Sequence, residues 1–139
     1  MTSKHRKRSA EPAHFLNVDL EIGSRMSLAP LSAELSANRN VFELFVGRVR
    51  GLARAHYEVH SRNHTADTIA RDLVRLVESL SPQARKCWDR ASVRDFNVGI
   101  QSSTIATPHL LELPLEAKTV AAIAELGGRI VVTVYAPPS

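Results

Sequence analysis

Acidic and histidine side chains recur at every second position in two segments of the chain. Asp19 and Glu21 alternate with apolar residues in one segment, and His56 and Glu58 do so in the other. Since side chains two positions apart lie on the same face of a strand, a sheet that contains both segments would gather carboxylates and imidazoles on one face. With neighbouring polar positions and a third strand-like segment, the candidate binding set is Asn17, Asp19, Glu21, Arg54, His56, Glu58, His60, Asp95 and Asn97.

A polar face of this kind has two interpretations. Carboxylates opposite histidines can bind a metal ion or exchange protons with a substrate, whereas an ordinary solvated sheet face carries the same residues as cross-strand ion pairs. An enzyme would show a concave pocket where Asp19, His56 and Asp95 converge. We assign no catalytic residue and treat the set as a binding surface.

The spacing of the histidines does not predict a metal site. His56, His60 and His64 recur every four residues, but four residues of a strand span about 13 Å, which is too far for one ion. The single cysteine, Cys87, excludes an internal disulfide and a cysteine-based zinc site. The sequence contains no phosphate-binding loop, dinucleotide fingerprint or nucleophile elbow, so it predicts neither a cofactor nor covalent catalysis.

The excess of basic charge lies at the N-terminus. The 139 residues include 18 Lys and Arg and 14 Asp and Glu, a net charge of +4. Residues 1–10 hold four of the basic residues and no acid, which leaves 14 of each sign in the remainder. We expect residues 1–13 to form a disordered basic arm and residues 14–139 a single domain. The basic residues of the arm are Lys4, Arg6, Lys7 and Arg8.

The arm supports an alternative function, namely weak and non-specific binding of nucleic acid through phosphate contacts. The sheet itself is expected to be a poor platform for stacking bases. By their registers, Tyr57 and Phe96 point inward, and only Phe15 is expected on an exposed face.

Hydrophobic periodicity predicts an α+β domain. The expected elements, in chain order, are a strand over 15–22, a helix over 28–37, strands over 41–50 and 52–60 joined at Gly51, a helix capped by Thr65, a shorter helix beginning at Ser81-Pro82, a strand over 95–101, a strand over 109–113, a helix over 115–126 and a strand over 129–135. This order predicts a ferredoxin-like β-α-β-β-α-β unit extended by a C-terminal β-α-β, with the helices packed on one face of a largely antiparallel sheet.

Four segments carry a resemblance to known proteins: HFLNVDLEIGS (14–24), VGRVRG (46–51), DFNVGIQ (95–101) and RIVVTVYAP (129–137). They resemble a family of uncharacterised bacterial α/β proteins, domains of unknown function with a ferredoxin-like sheet that are sometimes grouped with immunity-type proteins. The resemblance covers nearly everything after residue 13. It implies a fold but no catalytic residues.

These observations favour a small protein-binding accessory or immunity-type module without catalytic activity, acting on an unidentified protein partner. The final strand, residues 129–135, is apolar on both faces. Either it lies centrally in the sheet or its second face meets another copy of the chain, so a homodimer is a further expectation. No apolar run approaches the ~20 residues of a membrane helix, so no membrane partner is expected, and the lone cysteine favours the cytoplasm.

Overall fold

The described residues form five strands and four helices. The structure is a computed structural model that describes residues 11–105 and 109–137. The strands are β1 (His14–Ser24), β2 (Val41–Val49), β3 (Leu52–Val59), β4 (Val93–Gln101) and β5 (Arg129–Tyr135). The helices are α1 (Ala29–Ser36), α2 (Ala66–Glu78), α3 (Pro82–Arg90) and α4 (Ala117–Glu125). The prediction of an α+β domain is therefore confirmed.

All five strands belong to one mixed sheet in the order β2-β3-β1-β4-β5. The pairings of β2 with β3, β3 with β1, and β1 with β4 are antiparallel, and β5 runs parallel to β4. The first strand thus lies at the centre, and both β2 and β5 are edge strands.

The prediction of a strand over 109–113 is wrong, because those residues form no strand. The free edge of β4 is occupied by β5, so no edge beside β4 remains for this segment to pair with. It runs instead as an extended connection to α4, and Leu110 is 80% exposed.

The helices cover one face of the sheet. Val18, Leu20 and Ile22 of β1 are fully buried, and they share one apolar cluster with buried residues of the four helices. Trp88 of α3 meets Phe96 of β4 edge-on, with ring centroids 6.3 Å apart. No helix formed by residues 11–105 or 109–137 lies over the opposite sheet face, where alternating polar residues of the strands meet solvent.

Local signals in the sequence explain most boundaries of these elements. Thr65 caps α2 by accepting a hydrogen bond from the Thr68 backbone N–H at 3.1 Å. The β2–β3 hairpin turns through Arg50 and Gly51, both at positive φ (52° and 84°), as a two-residue primed turn requires. Gly127, at φ 75°, ends α4 in the left-handed conformation. Within the described ranges, no helix is long and apolar enough to cross a membrane.

Candidate functional site on the open face of the sheet

The candidate site is the sheet face opposite the helices, which we call the open face. Residues directly opposite in neighbouring strands share a face. Glu21 of β1 lies opposite His56 of β3 on one side and Asp95 of β4 on the other. Asp19 lies opposite Asn97. The pairing therefore places the expected polar residues of β1 between those of β3 and β4.

A ladder of polar contacts runs across the middle of the open face. The Asn97 amide donates to Glu21 Oε2 at 3.2 Å and accepts from the Thr133 hydroxyl at 2.8 Å. At the β5 side of the sheet, Arg129 makes two hydrogen bonds of 3.0 Å to the carboxylate of Asp95. These contacts tie β1, β4 and β5 together, so part of the candidate set serves to hold the sheet.

Two carboxyl groups share a cavity of about 510 Å³ on the open face. Asp19 and Glu58 both line this cavity, and the proximity of the Glu58 carboxyl is one cause of a raised pKa of Asp19. The cavity combines these acids with amide and apolar walls, and we call it the acidic cavity; it is lined by Leu16, Asn17, Asp19, Glu58, Gly99, Gln101, Tyr135 and Ala136.

The position of Asp19 in the acidic cavity changes its acidity. Burial, followed by the negative charges of Glu58 and Glu21, raises the pKa of Asp19 to about 7. Its Oδ1 atom is buried and has no hydrogen-bond partner among the described residues. Near neutral pH this carboxyl can therefore hold or release a proton, or accept a hydrogen bond from a cationic group that enters the cavity.

His56 lies outside the acidic cavity and under an aromatic ring. The Phe45 ring centroid is 5.9 Å from that of His56. Burial lowers the pKa of His56, Glu21 raises it in part and Arg54 lowers it further. The imidazole is thus held towards its neutral form, with Nε2 buried and lacking a partner within the described part of the chain.

Several expectations for the candidate set are corrected by this geometry. The pocket that an enzyme would need has Asp19, His56 and Asp95 converging, but in the described part of the chain the cavity that holds Asp19 is shared with Glu58 rather than with His56 or Asp95. Asp95 is buried rather than solvated, since the neighbouring strand β5 places Arg129 against it. Arg54 remains on the open face, with its guanidinium across Gly23.

His60 and His64 lie away from the open face. His60 follows the end of β3 and lines a separate cavity with Arg62 and Asp72. His64 bonds the Leu16 carbonyl through Nε2 at 2.7 Å. No group of three or more potential metal ligands occurs within residues 11–105 and 109–137.

The arm residues Lys4, Arg6, Lys7 and Arg8 lie outside the described residues.

The exposed aromatic residues of the open face were not predicted from the sequence. Tyr57 and Phe96 are buried as predicted, but Phe15 is half-buried and stacks on His64 with centroids 5.0 Å apart. The exposed aromatic residues are instead Phe42, Phe45 and Tyr135. The available signal was that the run over 41–50 is apolar on both faces for part of its length, which is unusual for an edge strand.

These residues form an exposed apolar surface on β2. Its five large side chains are each 41–55% exposed, and we call it the β2 patch; its members are Phe42, Leu44, Phe45, Val46 and Val49. A bulge between Glu43 and Phe45 shifts the register of β2 against β3, which places Phe42 and Phe45 on the open face. Gly47 makes this possible, because a Cβ there would lie 2.9 Å from the Phe45 ring.

The open face therefore joins an apolar region to an acidic one. Four carboxyl groups (Asp19, Glu21, Glu58 and Asp95) face two guanidinium groups (Arg54 and Arg129) across it. Since Asp95 is paired with Arg129 and Asp19 has a raised pKa, the face carries a small excess of negative charge, which favours cationic groups over phosphates. Comparison with known proteins adds nothing to this picture: no family model matches the chain, and neither a curated protein nor a solved structure does.

Proposed function

We propose that this protein is a small protein-binding module without catalytic activity, of the accessory or immunity type, and that its partner docks on the open face. The β2 patch is the observation that carries the proposal. Phe42, Phe45 and Val49 of the patch share the open face, whereas Val46 lies on the helix side of the same edge. Large apolar side chains grouped in this way at 41–55% exposure are typical of interaction surfaces on soluble proteins. Phenylalanine is also a residue type that protein interfaces favour.

The acidic cavity specifies the chemistry of the partner. Glu58 links the two regions, since it lies opposite Phe42 and also lines the cavity with Asp19. A partner that fits would place apolar side chains on the β2 patch and a lysine or arginine in the cavity. Burial at the apolar part supplies affinity, and the charge at the cavity supplies orientation and selectivity.

The fold proposal follows the order of the first four strands. We infer that β1 to β4 with α1 to α3 form a ferredoxin-like unit, because the order β2-β3-β1-β4 with antiparallel neighbours supports that topology. In this proposal α4 and β5 are an addition at one edge. The resemblance to bacterial immunity-type proteins and the cytoplasmic location remain predictions.

A comparison of two double variants tests the docking proposal. Phe42→Ser with Phe45→Ser removes the aromatic part of the β2 patch, and Met26→Ser with Leu110→Ser removes two exposed apolar side chains elsewhere (53% and 80% exposed). Proteins captured from the source cells by each variant and by the natural chain are quantified by mass spectrometry.

The expected result is a captured protein that the natural chain and the control variant retain and the Phe42/Phe45 variant loses at least tenfold. Glu58→Gln should weaken capture of the same protein at low salt and make the remaining capture less sensitive to salt, because a screened charge contact has been removed. Equal capture by both double variants, with both folded by circular dichroism, would overturn the proposal.

A further inference from the structure

No strand of the described part of the chain pairs with the outer edge of β5. Edge strands normally carry bulges or internal charges that block association with another chain. β2 carries both, since it has a bulge after Glu43 and also contains Arg48. β5 has seven residues in unbroken register with β4, and its only charged residue is Arg129 at its first position.

The side chains of β5 are exposed on the helix side as well as on the open face. Val132 and Val134 pair with Val98 and Ile100, so they lie on the helix side, yet they are 58% and 59% exposed. Tyr135, on the open face, is 50% exposed. The strand order excludes a central position for β5. An exposed apolar edge strand without internal charges tends to pair with other chains and aggregate unless another strand covers it.

We propose that a second copy of this chain covers the edge, with the two β5 strands pairing antiparallel about a two-fold axis at Val132. This is the register that pairs all seven residues. It keeps each side chain opposite one from the same face: Val132 meets Val132, and residue 130 meets residue 134. The result is a continuous ten-stranded sheet with the helices of both copies on one side.

The two ends of β5 complement each other in this register. Arg129 of one copy lies opposite Tyr135 of the other, both on the open face. The Arg129 side chain is 71% exposed while two of its nitrogen atoms bond Asp95. The flat face of the guanidinium is therefore free to stack on the phenol ring of the other copy, a geometry that arginine favours.

The size of the interface sets the expected affinity. Seven paired residues give a strip about 24 Å long. A standard interface buries about 800 Å² per partner, which a single pair of strands does not reach. We therefore expect a dimer that dissociates at micromolar rather than nanomolar concentration. The β2 patch lies at the opposite edge and stays uncovered in this dimer. Tyr135 also lines the acidic cavity, so the dimer shares that one residue with the proposed docking face and leaves the β2 patch available.

Light scattering across a dilution series tests the dimer. The natural chain should have the mass of two chains at about 200 µM and of one chain at about 1 µM. Val132→Lys should be a folded single chain at every concentration. Position 132 is exposed to solvent in the monomer and tolerates a charge there, whereas two lysines would face each other at the two-fold axis of the dimer. Val46→Lys is the matched control, because Val46 is an exposed edge residue on the same side of the sheet at the opposite edge; it should behave as the natural chain.

A natural chain that stays single at 200 µM would overturn the proposal. A dimer lost in Val46→Lys and kept in Val132→Lys would overturn it equally, because the pairing edge would then be β2.

Cysteine cross-linking tests the register in a Cys87→Ser background. In the proposed pairing, the two copies of residue 132 have Cα atoms about 4.5–5.5 Å apart, within the reach of a disulfide. The two copies of residue 134 are four residues apart along the strand, about 14 Å. Val132→Cys should therefore form a disulfide-linked dimer under mild oxidation, and Val134→Cys should not. Cross-linking of Val134→Cys in preference to Val132→Cys would overturn the two-fold at Val132.

Discussion

The two faces of the sheet are built from alternate residues of the same strands, yet they differ in what covers them. On the helix side, Val18, Leu20 and Ile22 are fully buried under the helices. On the open face, Asp19 and Glu21 of the same strand are only half-buried. The helix side therefore supplies the stability, and the open face tolerates an unpaired carboxyl oxygen and exposed aromatic rings, which a packed core would exclude.

The largest expected effect lies on the helix side. Phe96 is 1% exposed and packs against Trp88, so Phe96→Ala should lower the free energy of unfolding by about 3–5 kcal/mol, through lost burial and the cavity left behind. Urea denaturation measures the change. A loss below about 1 kcal/mol would mean that the helix side is not the stabilising face.

An intermediate effect, dependent on pH, is expected at Asp19. Its pKa is about 7 in the folded state and 3.8 without burial and neighbouring charges, so between these pH values the folded chain binds more protons than the unfolded one. The free energy of unfolding should therefore fall as pH rises through this window. Allowing for solvent screening of a half-buried group, the loss should be about 1–2 kcal/mol.

Asp19→Asn should remove this loss. It should match the natural chain near pH 4 and exceed its stability above pH 7.5 in paired denaturation curves. Glu58→Gln should lower the pKa of Asp19, because Glu58 is the largest contributor after burial to the raised pKa. The fall in the free energy of unfolding should then occur at lower pH. The predicted change is a fall in the free energy of unfolding between pH 5 and 7. An increase of about the same size in the natural chain would contradict the assignment to Asp19.

A small effect is expected in the β2 patch. Phe42 is 55% exposed, so Phe42→Ala should change the free energy of unfolding by less than about 1 kcal/mol. The contrast with Phe96→Ala uses the same substitution on the two sides of the sheet. A cost near that of Phe96→Ala would show that the β2 patch packs within the folded chain, and it would remove the basis for docking there.

The smallest effect concerns the basic arm. If the arm binds nucleic acid, affinity should be weak, independent of sequence and reduced by salt, and deletion of residues 1–10 should abolish it. The open face should not compensate, because its small excess of negative charge disfavours phosphate. Fluorescence anisotropy with labelled single-stranded and duplex probes measures this, and unchanged binding by the truncated chain would exclude the arm.

Alternation and capping were readable from the sequence because they are local. The period of two placed Asp19 and Glu21 on the face opposite Leu20, and Thr65, Gly51 and Gly127 marked a cap, a turn and a helix end. Each depends on residues a few positions apart. The hairpin of residues 41–60 and the helices of the domain were predicted correctly for the same reason.

Properties that depend on a neighbour distant in sequence were not readable in this way. Asp95 is buried because the parallel strand β5 brings Arg129 beside it, 34 residues later. The partner of Asp19 is Glu58 rather than His56, because the register of β1 against β3 sets which residue lies across the strand. The strand expected over 109–113 failed because β5 takes the edge that it needed.

The sequence by itself determined which residues alternate, where helices begin and end, and that residues 1–10 hold the excess of positive charge, since all of these follow from residue type and short spacing. Only the tertiary structure decided that β5 lies at an edge, that Phe42 and Phe45 are exposed, and that Asp19 and Glu58 share one cavity. Those outcomes depend on strand order, on a one-residue bulge and on long-range register. A shift of one position reverses which face a side chain occupies, and no local pattern specifies that shift.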